Sequence, residues 1–122
     1  MIIALDFDGT AVTHEYPEIG KDIGAVPVLK ELLEKGHQII LYTMRSGEEL
    51  RQAVEWFKER EIPLLGVNEN PTQKDWTSSP KAYAHLYIDD AGLGIPLNYS
   101  GRSRPFVDWR AVRRMLVIRG FL

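Results

Sequence analysis

The stretch Ile2-Ile3-Ala4-Leu5-Asp6-Phe7-Asp8-Gly9-Thr10 runs four apolar residues directly into two carboxylates and a glycine. A short apolar run that ends at a turn signal is typical of a buried parallel strand, and Asp8-Gly9 is a strong turn dipeptide. Ligand sites of open α/β sheets lie at the carboxyl ends of their strands. Two carboxylates at such an end repel each other unless a cation or a proton lies between them. The stretch therefore predicts a strand that ends in a metal site, whereas the simpler interpretation is a strand followed by a solvated turn.

The length and the composition suit one soluble domain. The chain has 122 residues, of which 44% are hydrophobic and 26% charged, as is ordinary for a globular protein. The absence of cysteine excludes disulfides, a thiolate nucleophile and Cys-ligated zinc or iron–sulfur sites. The apolar first residues lack a basic region, so no signal peptide is expected, and no apolar run reaches membrane-spanning length. We predict a single domain over residues 1–122, a cytoplasmic location and no membrane partner.

Charge is unevenly distributed along the chain. Residues 1–100 carry nine Lys and Arg against sixteen Asp and Glu, a net charge of −7, whereas residues 101–122 carry six Arg against Asp108, a net charge of +5. A basic terminal segment can bind a nucleic acid. No aromatic or Lys clusters interleave with these arginines, so a solvated helix face is the simpler interpretation. A nucleic-acid end stays an unsupported candidate partner.

Helical and strand patterns alternate along the chain. Beyond the first strand, the sequence predicts strands at 38–42, 64–67 and 84–88, and loops at 11–24, 68–80 and 92–105. Helices are expected from Pro27 to a Gly36 stop, from a Ser46/Glu49 capping box to about Arg60, and after an Asp108 cap. The last helix can bury one side formed by Trp109, Val112, Met115 and Leu116.

This alternation predicts an α/β fold in three layers, Rossmann-like, with a parallel sheet of about four main strands and helices on both faces. Three of the predicted strands end in polar residues, namely Asp6 and Asp8, then Thr43, then Asp89 and Asp90. In a parallel sheet these ends lie along one rim. Core packing alone does not require apolar runs that end repeatedly in charge.

The motif order resembles the haloacid dehalogenase (HAD) superfamily of phosphohydrolases. Asp6-Phe7-Asp8-Gly9-Thr10 is similar to its first signature, Leu41-Tyr42-Thr43 to the second, Lys81 to the third and Tyr87-Ile88-Asp89-Asp90 to the fourth. Only about sixteen residues separate Thr10 from Pro27, and the later gap is filled by a predicted helix and strand. The resemblance therefore points to the small class without a cap domain, and implies an open site.

The resemblance implies a Mg²⁺-dependent phosphatase that acts through an aspartyl-phosphate on Asp6. Asp8 would be the general acid and then the base for the attacking water. Asp6 and Asp90 would give carboxylate oxygens to Mg²⁺, and Asp8 a backbone carbonyl. Asp89 would either bind the metal or hold Lys81, and the sequence leaves open which of Asp89 and Asp90 touches the ion.

The same resemblance gives roles to two further residues, and the positions of others in the chain suggest additional contacts. Thr43 and Lys81 would bind phosphoryl oxygens, with Lys74 the alternative to Lys81. Arg45 is a candidate substrate contact, against simple solvation at a helix start. Asn68 is interpreted as a turn residue. Tyr16 and Trp76 lie in the loops nearest the predicted site, where aromatic rings can stack on a substrate.

Three function classes compete. A phosphatase would take a small-molecule phosphomonoester, as a monomer or an oligomer. A receiver-like phospho-accepting module has a similar length and similar chemistry, but its paired acids follow the first strand, whereas here they come last. A catalytically weak HAD-like binding protein would show salt-dependent binding of RNA or DNA without turnover.

Overall fold

The chain folds into a parallel four-stranded sheet flanked by helices, without a cap domain in the part that the structure describes. The structure is a computed structural model that describes residues 1–101 and 104–122, so Arg102 of the basic terminal segment lies outside the described residues. The strands are β1 (Ile2–Leu5), β2 (Gln38–Leu41), β3 (Gly66–Val67) and β4 (Leu86–Ile88), in the spatial order β3-β2-β1-β4. The predicted α/β fold class is confirmed.

The register of the sheet brings the polar strand ends to one rim. Ala4 of β1 lies between Ile40 of β2 and Tyr87 of β4, and all pairings are parallel. Beyond the strand ends, the Asp6 amide donates to the Ile88 carbonyl at 3.0 Å, and the Tyr42 amide donates to the Leu5 carbonyl at 2.8 Å. Asp6 is therefore at the level of Tyr42 on one side and Asp89 on the other.

Three helices pack against the sheet, namely α1 (Ala25–Glu34), α2 (Gly47–Glu59) and α3 (Trp109–Ile118). Their buried residues join one core cluster with Ile3 and Leu5 of β1, which point to the same face of the sheet. α1 begins two residues before the predicted Pro27, after Gly24 at φ 90°. Proline is tolerated there because the first amides of a helix have no partner within it.

The opposite face of the sheet carries the irregular segment 68–85. Tyr87, on this face, donates its hydroxyl proton to the Ala82 carbonyl at 2.7 Å. The buried side chains of Asn70 and Gln73 donate to the carbonyls of Tyr83 and Lys81. The sequence predicts helices on both faces, whereas the described helices pack on the face that carries Ile3 and Leu5. The other face is covered by loop structure in which side chains bind backbone carbonyls.

The helix boundaries mix confirmed and wrong predictions. Asp108 accepts from the amides of Arg110 and Ala111, so its cap is confirmed. Ser46 precedes α2 but its side chain makes no capping hydrogen bond, so the predicted capping box is wrong. Met115 is 41% exposed instead of buried. The predicted loop at 92–105 contains half of a hairpin, β5 (Leu97–Asn98) with β6 (Phe106–Val107).

The helices are short. α1 and α3 have 10 residues each and α2 has 13. Within the described residues, none combines the length and the apolar character needed to cross a bilayer.

Candidate active site

Three carboxylates converge at the rim of the sheet. Asp6 follows β1, and Asp89 and Asp90 follow β4, the neighbouring strand. Each offers one oxygen, and the three oxygens lie within 4.8 Å of one another. The side chains are half-buried, so solvent still reaches the cluster. The fold therefore brings together three of the four acids that the sequence singles out.

Thr10 links the carboxylates across the two strands. Its buried hydroxyl donates to Asp6 Oδ2 at 2.8 Å, accepts the Asp90 amide at 2.9 Å, and lies 3.4 Å from Asp90 Oδ1. The indole of Trp109 donates to the Thr10 carbonyl at 2.7 Å, which anchors this residue from the start of α3. Thr10 belongs to the motif at the end of β1, but its position in the sequence predicts no role for it.

Gly9 leaves room for Asp90. Its φ of +80° is in the left-handed region, and a Cβ there would lie 2.4 Å from Asp90 Oδ2 and 2.9 Å from Asp90 Cγ. Real side chains do not approach so closely, so any larger residue must displace the carboxylate. The glycine that looks like a turn residue in the sequence is therefore part of the site.

No Lys or Arg of residues 1–101 and 104–122 balances the charge of the three carboxylates. Burial, followed by the negative charge of Asp89, raises the pKa of Asp6 to about 8. Burial is also the main reason why the pKa of Asp89 is raised. No Lys or Arg nitrogen of the described residues lies within 4.0 Å of these carboxylates. An uncompensated group of hard oxygen donors suits a divalent cation such as Mg²⁺.

Asp8 is held apart from that cluster, although it is only two residues from Asp6. Its carboxylate forms a bidentate pair with Arg45, with Nε to Oδ2 and Nη2 to Oδ1 both at 2.8 Å. The predicted backbone contact of Asp8 with Mg²⁺ stays a prediction. Arg45 is 3% exposed, so its position does not support the predicted substrate contact.

Asn68, for which the sequence predicts only a turn, orients Thr43. The Thr43 amide donates to Asn68 Oδ1 at 2.7 Å, and the Thr43 hydroxyl accepts the Arg45 amide at 3.1 Å. The hydroxyl proton has no acceptor within the described ranges, which leaves it able to donate to a ligand. Asn68 adopts φ 56° just after β3, and the signal for its role was an Asn at a strand end.

Lys81 lies on the face of the sheet toward which Asp6 points. Its Nζ is 5.5 Å from the centre of the Tyr87 ring, and that ring is 6.4 Å from the Tyr42 ring. Tyr42 and Tyr87 share a face with Asp6 by strand alternation. The predicted hold of Asp89 on Lys81 is not formed, since no such ion pair lies within 4.0 Å.

The remaining loop residues lie outside the cluster. Lys74 is exposed and lines a surface cavity together with Asn68 and Gln73. Trp76 packs edge-on against Tyr83, with ring centres 5.4 Å apart. Tyr16 packs on Arg45, with 5.2 Å between the guanidinium carbon and the ring centre.

One comparison with known proteins gives a match. No protein-family profile and no curated protein sequence matches the chain. Among solved structures, the chain is similar to a conserved protein from Bacteroides thetaiotaomicron, with 37% sequence identity and a TM-score of 0.80. The likeness covers 98% of this chain and 91% of the other, and it therefore spans nearly the whole of both molecules.

Proposed function

The chain belongs to the same family as the conserved Bacteroides thetaiotaomicron protein, and we propose that it is a Mg²⁺-dependent phosphomonoesterase of the small capless HAD type. The observation that carries the proposal is the cluster of Asp6, Asp89 and Asp90, whose oxygens lie within 4.8 Å of one another with no Lys or Arg nitrogen of the described residues within 4.0 Å. The cluster occurs at the strand ends where the resemblance places the first and fourth HAD signatures. Close carboxylates repel one another unless a cation or a proton lies between them.

Asp6 and the paired acids would hold the metal. The oxygens of Asp6, Asp89 and Asp90 are close enough to share one ion, and the Thr10 hydroxyl binds both the Asp6 carboxylate and the Asp90 amide. When bound, Mg²⁺ would reduce the repulsion between the Asp6 carboxylate and an approaching phosphate dianion. Binding also requires the ionised form of Asp6, whose pKa is raised by burial and by the charge of Asp89.

The reaction proceeds in two displacements. An Asp6 carboxylate oxygen attacks phosphorus, a bond forms between them, and the bond from phosphorus to the leaving oxygen breaks while Asp8 protonates that oxygen. Asp8 then takes a proton from water, which attacks the aspartyl-phosphate, releases phosphate and restores Asp6. The Thr43 hydroxyl and the Lys81 ammonium hold phosphoryl oxygens and offset the developing negative charge.

Phosphate release tests this proposal. Small-molecule phosphomonoesters and nucleic-acid ends are incubated with the protein in Mg²⁺ and in EDTA, beside Asp6→Asn. We expect turnover in Mg²⁺ only, and a loss of at least about 10⁴-fold in Asp6→Asn. Asp75→Asn is the matched control, since Asp75 is an exposed aspartate in the 68–85 segment. Turnover that survives EDTA, or equal turnover by Asp6→Asn, would contradict the proposal.

The lysine assignment has its own test. Lys81→Met should raise the KM for a phosphomonoester and lower kcat, because a positive charge near the transferring group is removed. Lys74→Met is the matched control and should change neither constant appreciably. The opposite pattern would assign the phosphoryl contact to Lys74.

A further inference from the structure

We propose that Arg45 is a positioning residue, which fixes the orientation of the Asp8 carboxylate and couples it to the loop 13–21. This inference rests on the proposed function, in which Asp8 transfers the protons. It replaces the sequence-based expectation that Arg45 contacts the substrate.

All five N–H donors of the Arg45 guanidinium are engaged within the protein. Nε and one Nη2 proton bind the two oxygens of Asp8, each at 2.8 Å. The other Nη2 proton binds the Glu18 carbonyl at 2.7 Å. The two Nη1 protons bind the carbonyls of Pro17 and Glu49, each at 3.2 Å. A substrate would have to break one of these bonds to reach Arg45.

The packing around Arg45 also holds it in place. Its side chain is 1% exposed. The guanidinium carbon lies 5.1 Å from the centre of the Phe7 ring and 5.2 Å from that of Tyr16. Phe7 is buried in the core beside Asp8, whereas Tyr16 belongs to the loop and is 52% exposed. The arginine is therefore in contact with one ring from the strand end and one from the loop.

The loop 13–21 is itself closed by hydrogen bonds. The Thr13 amide donates to the Lys21 carbonyl at 3.0 Å, and the Lys21 amide donates to Thr13 Oγ1 at 2.7 Å. Gly20 approaches Thr13 so closely that a Cβ would lie 1.8 Å from the Thr13 carbonyl oxygen. Arg45 joins this closed loop to Asp8 through Pro17 and Glu18.

The geometry leaves Asp8 accessible from the solvent side. A carboxylate has about four lone-pair sites, and the bidentate pair uses one on each oxygen. The Asp8 side chain is 12% exposed, whereas that of Arg45 is 1% exposed. The guanidinium therefore lies on the inner side of Asp8, and the open side of the carboxylate faces the solvent from which a substrate arrives.

Substrates with different leaving groups can distinguish a positioning role of Arg45 from other roles. An alkyl phosphate needs a proton on its leaving oxygen, whereas p-nitrophenyl phosphate expels a stable phenolate without one. Because kcat/KM covers the steps up to expulsion of the leaving group, a misplaced Asp8 should lower kcat/KM for the alkyl ester far more. A misplaced group typically costs on the order of 10²-fold.

The experiment compares Arg45→Met and Arg45→Lys on p-nitrophenyl phosphate and on the best alkyl phosphate of the panel. We expect kcat/KM to fall on the order of 10²-fold for the alkyl ester and less than about tenfold for the aryl ester. Lys should not rescue, since one ammonium cannot form the bidentate pair and three carbonyl bonds. Equal losses on both esters, or a rise in KM alone, would overturn the proposal.

Two further variants protect the test from a general loss of stability. Arg60→Met is the matched control, because Arg60 also stacks on a ring, that of Trp56 at 4.2 Å, away from Asp8. It should leave the ratio of the two esters unchanged. Tyr16→Leu removes one stacking ring but no hydrogen bond to Asp8, so it should shift the ratio in the same direction by a smaller factor. If the ratio of the two esters is unchanged in Tyr16→Leu, the proposed coupling of Asp8 to the loop 13–21 is wrong.

A measurement without turnover separates this inference from the proposed function. The Arg45 Nε–H signal in a ¹H–¹⁵N NMR spectrum should exchange slowly with solvent in the wild type and faster in Asp8→Ala. Equal exchange would overturn the pairing even if the protein is an active phosphatase. Slow exchange in a protein without any turnover would instead contradict the proposed function alone.

Discussion

Asp6 and Asp8 are two residues apart on one strand end, yet their surroundings are opposite. Asp6 lies beside Asp89 and Asp90, and burial with the neighbouring charge raises its pKa to about 8. Asp8 has a guanidinium on both oxygens at 2.8 Å. Within the part of the chain that the structure describes, Asp6 has no Lys or Arg nitrogen within 4.0 Å, whereas both oxygens of Asp8 bind Arg45. The difference shows that the protein itself supplies the counter-charge of Asp8, whereas under the proposed function Mg²⁺ would supply that of Asp6.

The largest effect on the Asp6 side should come from Gly9→Ala. The new Cβ would lie 2.4 Å from Asp90 Oδ2 at φ +80°, so Asp90 must move and Mg²⁺ affinity should fall by at least about 10²-fold. Isothermal titration measures the affinity and thermal unfolding the stability. Gly36→Ala is the control, because Gly36 has φ +88° but nothing within 4 Å. The Gly36→Ala variant should be less stable by about 1–2 kcal/mol, the cost of the left-handed backbone for alanine, and its affinity for Mg²⁺ should be unchanged.

Thr10→Val should have the next largest effect. Valine has a similar shape but cannot donate to Asp6 or accept the Asp90 amide. We expect a loss of about 1–3 kcal/mol in unfolding free energy and about 10-fold weaker Mg²⁺ binding. Thr13→Val, which loses hydrogen bonds in the loop 13–21, should lower stability without weakening Mg²⁺ binding. Equal Mg²⁺ affinity in Thr10→Val and the wild type would show that Thr10 has no part in the metal site.

The pH dependence sharpens the contrast between the two carboxylates. Folding raises the pKa of Asp6 from 3.8 to about 8, so its contribution to stability in EDTA is complete below pH 3.8 and is lost as the pH rises through about 8. Mg²⁺ binds the ionised form, so the rise in Tm that Mg²⁺ produces should be larger at pH 9 than at pH 6. Thermal unfolding in Mg²⁺ and in EDTA at both pH values measures it. A rise that is independent of pH would contradict the assignment of Asp6 as a ligand.

The smallest effect is expected at Asn68, away from both carboxylates. Asn68→Gly removes the acceptor of the Thr43 amide without strain at φ 56°. Loss of one such bond is worth about 1 kcal/mol, so KM for a phosphomonoester should rise about fivefold while Mg²⁺ affinity stays the same. Asn68→Asp keeps an acceptor oxygen and should restore most of the KM. If KM is unchanged in Asn68→Gly, Asn68 has no role in binding the phosphoryl group.

Most of the fold could be predicted from local patterns in the sequence. The apolar runs of β1 and β2 are strong signals because a buried strand needs only a few consecutive apolar residues. The helices are strong signals because their apolar residues recur every three or four positions. The Asp108 cap involves the amides of Arg110 and Ala111, two and three residues further on, and was also predicted. The β5–β6 hairpin has two-residue strands that carry no alternation, so no pattern predicted it.

The candidate site was predicted as far as its residues are close in sequence. Local motifs reveal the acids that are one or two positions apart, namely Asp6 with Asp8 and Asp89 with Asp90. The pairing of Asp8 with Arg45 joins residues 37 positions apart, and that of Thr10 with Asp90 joins residues 80 positions apart. Such contacts depend on the register of the sheet, which brings strand ends together but leaves no periodic trace in the chain.

The central claim is that Asp6 is the phosphorylated nucleophile, and chemical trapping tests it most directly. The protein is mixed with Mg²⁺ and p-nitrophenyl phosphate, quenched in acid and treated with borohydride, which reduces an aspartyl-phosphate to homoserine and releases phosphate. Mass spectrometry of the peptides should find homoserine at position 6 and none in a reaction without substrate. Homoserine at position 8, or steady turnover with no homoserine at any time after mixing, would contradict the claim.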